Sequence, residues 1–457
     1  MTAAQPNFDP TQLHPGAAAA FDRDGAALLE ARQLESIKTE KPPDFKSRRI
    51  PKATITDADM VGEPLMAWSD ISGRITGRYF VKDGNRVTLR DQGYRALRRL
   101  VEKVLRSKPF TGRLSEDFIE IEIFKWWQAT LRNETSDPLS ARLLAAAYTA
   151  VGWHTLMVPI ANFEIERPFQ LGNVLVTPFD PELIDKFEVD SVIKFPERET
   201  DIRQNAQDMR EEFAHLTMIQ VDIFGELGFA QNQARTMAFD MADVIRFMSP
   251  PAVSWNIKYA CFPLGYEHEP QSTIIQLRDD KLGVISSGLL GAPSFRWRLS
   301  FEQLDECMVK LGFRNCAAFF EDRPLSGFQK RVKTAISAYA QSVAAMDIRN
   351  RLIYAMSAAE HLLLRDENEG IQSAVGERMA FLIVKDAKKR QDVVANFRKV
   401  YGLRSRHIHH LRSIADEDSL AIFFRNMWGM LLVAMQNMSR YKEHSQFLDA
   451  IDRLKFS

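Results

Sequence analysis

Cysteine is scarce in this chain: 457 residues carry three, Cys261, Cys307 and Cys316. The number is odd and no two of them form a C-x2-C pair, so a disulfide framework and a cysteine zinc site are both disfavoured. Net charge is missing as well, since 60 basic side chains balance 60 acidic ones. Such a chain does not hold nucleic acid by bulk attraction, and any contact of that kind must come from a local basic face. Long apolar runs are also absent. The richest stretches, around 143–153 and 427–435, fall well short of the roughly 18 residues a membrane span needs. The opening MTAAQPNFDPTQLHPGAAAAFDRDG has neither the basic flank nor the continuous apolar core of a secretion signal. The expected setting is cytoplasmic, without a membrane. No P-loop, GxGxxG, GxSxG or HExxH string occurs, which sets aside most common enzyme classes.

What is present suits a folded protein: 45% apolar and 26% charged residues, over a length that suggests two or three domains. Residues 1–60 mix Pro, Ala and both charges without sustained periodicity and read as an extended or partly disordered arm. An α+β domain is expected over 61–327. Within it GRYFVKDGNRVTLR predicts two strands around an Asp83-Gly84-Asn85 turn. Ser115 with acids behind it opens a helix, and a second runs over 138–151. Phe163 with Ile165, and Val174 with Val176, alternate as strands do. Strict period two at Val253, Trp255, Ile257, Tyr259 and Cys261 predicts another strand. A strand at Ile219, Val221 and Ile223 leads through GELG into a helix whose apolar positions include Ala234, Met241 and Ile245. Trp126, Trp127, Trp153 and Trp255 suit core packing better than base stacking.

From 328 to 457 everything reads as helix. One stripe runs from Ile348 to Leu363, a second helix covers about 372–384, a third about 387–410, and a fourth carries Leu420, Phe424, Met427, Leu431 and Met435. Four such stripes predict an all-α four-helix bundle. The fourth helix is apolar on more than one face, through Phe423, Met430 and Ala434, which predicts a homodimer through this domain. In the third helix Arg404 falls in the centre of the apolar stripe Val393, Phe397, Val400, Ile408 and Leu411. A guanidinium there must be paired in the core or reach the edge.

The local string KVYGLRSRHIHH resembles the signature of HEPN domains, most closely the Apea-like branch, with Tyr401, Arg404, Ser405 and His409 in the motif places. AMSAAEHLLL and GERMAFLIV resemble that branch's first two helices, so the resemblance spans about 345–440. His410 stands where such sequences often have Gly. The resemblance implies an all-α HEPN bundle acting as a metal-independent endoribonuclease, without a cofactor, on RNA such as transfer RNA. It further implies a role in microbial anti-phage defence by abortive infection, and motifs paired across a homodimer. The residue types suit the chemistry. A histidine moves protons near neutral pH, here His409, and Arg404 answers the charge that develops on phosphorus. Ser405 binds the phosphate or orients Arg404, and Glu360 either pairs with Arg404 or is a solvated acid. Lys388, Lys389, Arg390, Arg398, Lys399, Arg406 and Arg412, with His410, form either an RNA-tracking face or a solvated one. The triplet His407, His409, His410 lacks a carboxylate at a defined spacing, so no metal is expected.

On a straight helix the fifth position beyond Arg404 lies about 140° away and the third about 60° away. Geometry alone thus favours His407. For His409 to be the partner, the helix must end or kink between 405 and 408, or the two side chains must meet across a dimer. The alternative to an enzyme is a sensor or scaffold that uses the bundle for dimerisation or docking.

Overall fold

The computed structural model describes residues 8–36, 67–266, 271–278, 281–289, 295–345, 347–366, 368–410 and 416–455, with the backbone alone at 36, 271–278, 281–289 and 404–410. The chain packs as two compact units, 1–154 with 223–232 and 155–222 with 233–457. The segment 61–327 therefore contributes to both, and the change of character near 327 is not a packing boundary.

The first unit opens with α1 (Pro15–Glu30), which corrects the expectation of an extended arm for this part of 1–60. Phe21, Gly25 and Leu28 recur on one face and are buried. Burying Phe21 and Leu28 contributes about 2 kcal/mol each, enough to hold an Ala-rich segment as helix. Residues 37–60 lie outside the described residues. Strands β1 (Gln33–Ser36), β2 (Ala67–Ser69), β3 (Ile75–Lys82) and β4 (Asn85–Arg90) form an antiparallel sheet in the order β1-β4-β3-β2. Asp83 and Gly84 turn β3 into β4 at φ 51° and 71°, the left-handed pair that a two-residue hairpin loop requires. Helices α2 (Asp91–Leu105), α3 (Glu116–Leu131) and α4 (Leu139–Ala150) close the core. The Ser115 hydroxyl caps α3 by accepting from Phe118 N at 3.2 Å. Trp126 and Trp127 are buried there, their indole N–H groups donating to Asp137 O and Leu28 O.

Strand β5 (Gly152–Ile160) runs from the first unit into the second, which continues with β6 (Phe163–Ile165), β7 (Phe169–Leu171) and β8 (Val174–Pro178). The helices α5 (Glu182–Lys194) and α6 (Glu199–Phe213) precede β9 (Thr217–Gly225), and the sheet order is β5-β9-β8-β7. Then come α7 (Leu227–Met248), the hairpin β10 (Gln271–Arg278) and β11 (Lys281–Leu289), β12 (Trp297–Leu299) pairing in parallel with β6, and the short α8 (Phe301–Asp305). The period-two segment 253–261 is not a strand: residues 250–253 form a 3-10 turn and 254–261 run without a β-partner. Its carbonyls are held by a side chain instead. Arg351 donates to Ser254 O at 2.7 Å and to Trp255 O and Ile257 O at 2.8 Å each. Arg351 is 3% exposed, and burial lowers its pKa to about 10, so it remains a cation at neutral pH.

The remainder is helical, with α9 (Gly327–Ala344), α10 (Ile348–Leu363), α11 (Ile371–Ile383), α12 (Ala387–His410), α13 (Glu417–Gln436) and α14 (His444–Arg453). Four of these are the expected helices; α9 and α14 join them. The extra apolar face of α13 is covered within the chain, which removes the argument for a dimer drawn from it. Phe423, Met430 and Ala434 are fully buried. On one side Phe423 meets Phe397 of α12 at 6.2 Å between ring centroids. On another, Trp428 Nε1 donates to Phe247 O at 3.0 Å and Met435 meets Cys316 at 3.4 Å. Tyr339 of α9 ties the same region together, its hydroxyl 2.6 Å from Ala252 O and 3.1 Å from Phe424 O.

Arg378 fastens α14 to α11. It is 4% exposed and pairs with Glu369 at 2.7 Å and Asp452 at 3.0 Å. Burial pushes the Asp452 carboxyl up, but the Arg378 hydrogen bonds and charge more than offset this and hold it at about 2. A carboxyl depressed below its unfolded value of about 4 contributes stability that is full above that pH and is lost as pH falls toward the folded value. Hydrogen-exchange protection of α14 is therefore expected to fall between about pH 4 and pH 2, and Asp452→Asn to flatten that dependence.

Candidate functional site

Helix α12 starts after Asp386, whose carboxylate accepts from Lys389 N at 3.0 Å. It buries Val393, Phe397 and Val400 against the helical core, at 6%, 1% and 0% exposure. Tyr401 follows with its ring 6.2 Å from that of Phe397. Arg404 stands four residues after Val400 and seven after Phe397, so its backbone position continues the buried stripe to within about 40°.

The helix runs without interruption to His410. The expected end between 405 and 408 is thus not present, and on an ideal helix the backbone positions of Arg404 and His409 lie about 140° apart. Ser405, Arg406, His407, His409 and His410 lie on the same stretch of helix, and Arg412 lies outside the described residues. Glu360 is half-buried on α10, a helix that packs on α12.

Among the expected RNA-binding residues, Lys399 and Arg398 differ. Lys399 is engaged with Asp416 at 2.5 Å, and its hydrogen bond holds that carboxyl below its ordinary value. Arg398 is exposed and makes no ion pair among the described residues. It lines a groove of about 400 Å³ between α11 and α12, together with Phe381, Arg390 and Val394. Arg390 lies over the Phe381 ring at 4.2 Å, and its Nε donates to Val384 O. Sequence reasoning missed this groove because Phe381 and Arg390 meet only through the sharp connection between the two helices.

Between 385 and 412 stand nine Lys or Arg and two Asp, on a chain whose total charge is zero. Seven of the nine basic residues lie on α12. The other two histidines of the helical part are occupied. His444 Nε2 is 2.8 Å from Leu362 O, His361 Nδ1 is 3.1 Å from Arg331, and burial lowers the pKa of both. The remaining histidines of the helical part, His407, His409 and His410, lie at the end of α12. Among the described residues no group of three His, Cys, Asp or Glu is placed to hold a metal ion, and no helix is long and apolar enough to cross a membrane. Compared with family models, with curated proteins and with solved structures, the chain matches none.

Proposed function

We propose that the helical part is an HEPN-type endoribonuclease domain that cuts RNA without a metal, and that the α+β part senses or recruits. The observation that supports this most is α12 itself: one basic, unbroken helix whose buried stripe leads to Arg404 and whose last turn carries His409. In this reading the ribose 2'-hydroxyl loses its proton and attacks the adjacent phosphorus, the bond from phosphorus to the 5'-oxygen of the next nucleotide breaks, and that oxygen leaves as a hydroxyl. Histidine takes or returns the proton. Arg404 answers the charge on the phosphorane oxygens with a bidentate donor pair.

Because α12 stays helical through His410, we infer that Arg404 of one copy works with His409 of a second, and the active form is a homodimer. Cleavage of transfer or other cellular RNA would arrest growth, which suits a role in anti-phage abortive infection. The expected result is that purified protein degrades total RNA at an unchanged rate in EDTA. Activity abolished by EDTA and restored by magnesium would overturn the mechanism, and intact RNA with every trigger tried would favour a scaffold.

A further inference from the structure

Helices α5 and α6 form a hairpin between β8 and β9 that leaves apolar side chains in solvent. The two helices pack on each other, and their buried residues are Ile184, Ile202 and Ala206. Leu183 and Phe187 stand on one side of α5 and Val189 and Ile193 on another, about 120° apart on an ideal helix. All four are exposed, Ile193 to 75%, and so is Phe195 just beyond the helix end. A helix apolar on every side belongs in an interior, and clustered exposed apolar surface marks an interaction face.

The hairpin is also acidic. Residues 182–213 carry ten Asp or Glu and five Lys or Arg. Arg203 and Arg210 are taken up by Glu199, Asp185 and Glu188. Asp190, Glu197, Asp201 and Glu212 are exposed and make no ion pair among the described residues. The groove between α11 and α12 has the opposite character. Phe381, Val394 and Ala395 line it with Arg398, and Lys388 and Lys389 follow Ala387 of the same lining. Both lysines, like Arg398, are exposed and without an ion pair among the described residues.

Among the described residues nothing covers either surface, so the occupant of each comes from outside the chain. Two hairpins repel each other, and so do two grooves, whereas hairpin and groove carry opposite charge. We propose that the α5–α6 hairpin of one copy docks in the α11–α12 groove of a second copy. Apolar side chains of α5 fill the groove beside Phe381, and the free acids of the hairpin face Lys388, Lys389 and Arg398. Each copy gives one hairpin and offers one groove, so docking is reciprocal about a two-fold axis and closes at two copies. The inference does not rest on the ribonuclease reading.

Crosslinking tests this, with Ile193→Cys and Ala395→Cys made in separate full-length chains, mixed, allowed to exchange and treated with a short bismaleimide. The three native cysteines are buried, and both substituted positions are exposed, so the variants fold and only the new thiols react. The mixture should give at least about tenfold more crosslinked dimer than either variant alone, because docking raises the effective concentration of one thiol near the other. Asp190→Lys with Glu197→Lys in the first chain should lower the yield several-fold, and Lys388→Glu with Arg398→Glu in the second should restore it. A mixture that crosslinks no better than the single variants overturns the proposal, as does a yield that the charge reversals leave unchanged. RNA cleavage by the same chains is scored separately, so failure of the docking is distinguished from failure of the ribonuclease reading.

Discussion

Alanine at Arg404 or at His409 is expected to lower RNA cleavage by about 10²- to 10⁴-fold, the range for losing a general acid-base group or a transition-state cation. The helical part should stay folded, because the stripe that anchors α12 is supplied by Val393, Phe397 and Val400. His407→Ala should keep most of the activity. The unbroken helix adds a sharper expectation. If Arg404 of one copy serves His409 of the other, mixing the two inactive variants creates heterodimers with one intact site. About one quarter of wild-type activity should return, since half the dimers are mixed and each has one of two sites restored. No recovery, together with activity lost in His407→Ala, would mean that the pair forms within one copy and that helix geometry outranks the motif.

The largest stability effect is expected at Arg351. Replacing it with alanine leaves the carbonyls of Ser254, Trp255 and Ile257 without their donor and removes the guanidinium from over the Phe424 ring, 5.2 Å away. Each orphaned carbonyl costs about 1–3 kcal/mol, and the loss is partly offset because a buried cation is no longer desolvated, so roughly 4 kcal/mol is expected. The midpoint of urea unfolding should fall accordingly, with Arg349→Ala, whose side chain is 55% exposed, as a control near zero. Lysine at 351 should recover little, since one ammonium cannot span three carbonyls in a fixed fork. A change below about 1 kcal/mol in Arg351→Ala would show that the 254–261 segment is held by something else.

That segment also shows where sequence reading stops. The alternation at 253–261 does not match its burial, since Ile257 is 38% exposed while Ala260 is buried, and it carries no information about what the backbone bonds to. Here the donor came from a residue nearly a hundred positions away. Features governed by neighbouring residues were legible: the Asp83-Gly84 turn, the Ser115 cap, and the stripes of α10 to α13. Features decided by distant packing were not. The Pro- and Ala-rich composition of the first 36 residues hid α1, whose two large apolar residues become visible only against the core they fill. The second apolar face of α13 was legible as apolar, yet it is buried within the chain, with Phe423 against Phe397 of α12, and needs no partner to cover it. The site divides in the same way. The string from Tyr401 to His410 could be read as a motif, and α12 could be predicted as its carrier. The groove at Arg390 and Phe381 could not, because it forms only where two helices meet.

The central claim, ribose-hydroxyl attack at the end of α12, is tested most directly by the chemistry of the cut ends. Fragments made by the purified wild-type protein in EDTA, absent with His409→Ala, should carry a 2',3'-cyclic phosphate or its hydrolysed form, with a 5'-hydroxyl on the downstream piece. Fragments bearing a 3'-hydroxyl and a 5'-phosphate would contradict it, because water and not the ribose would then have been the nucleophile.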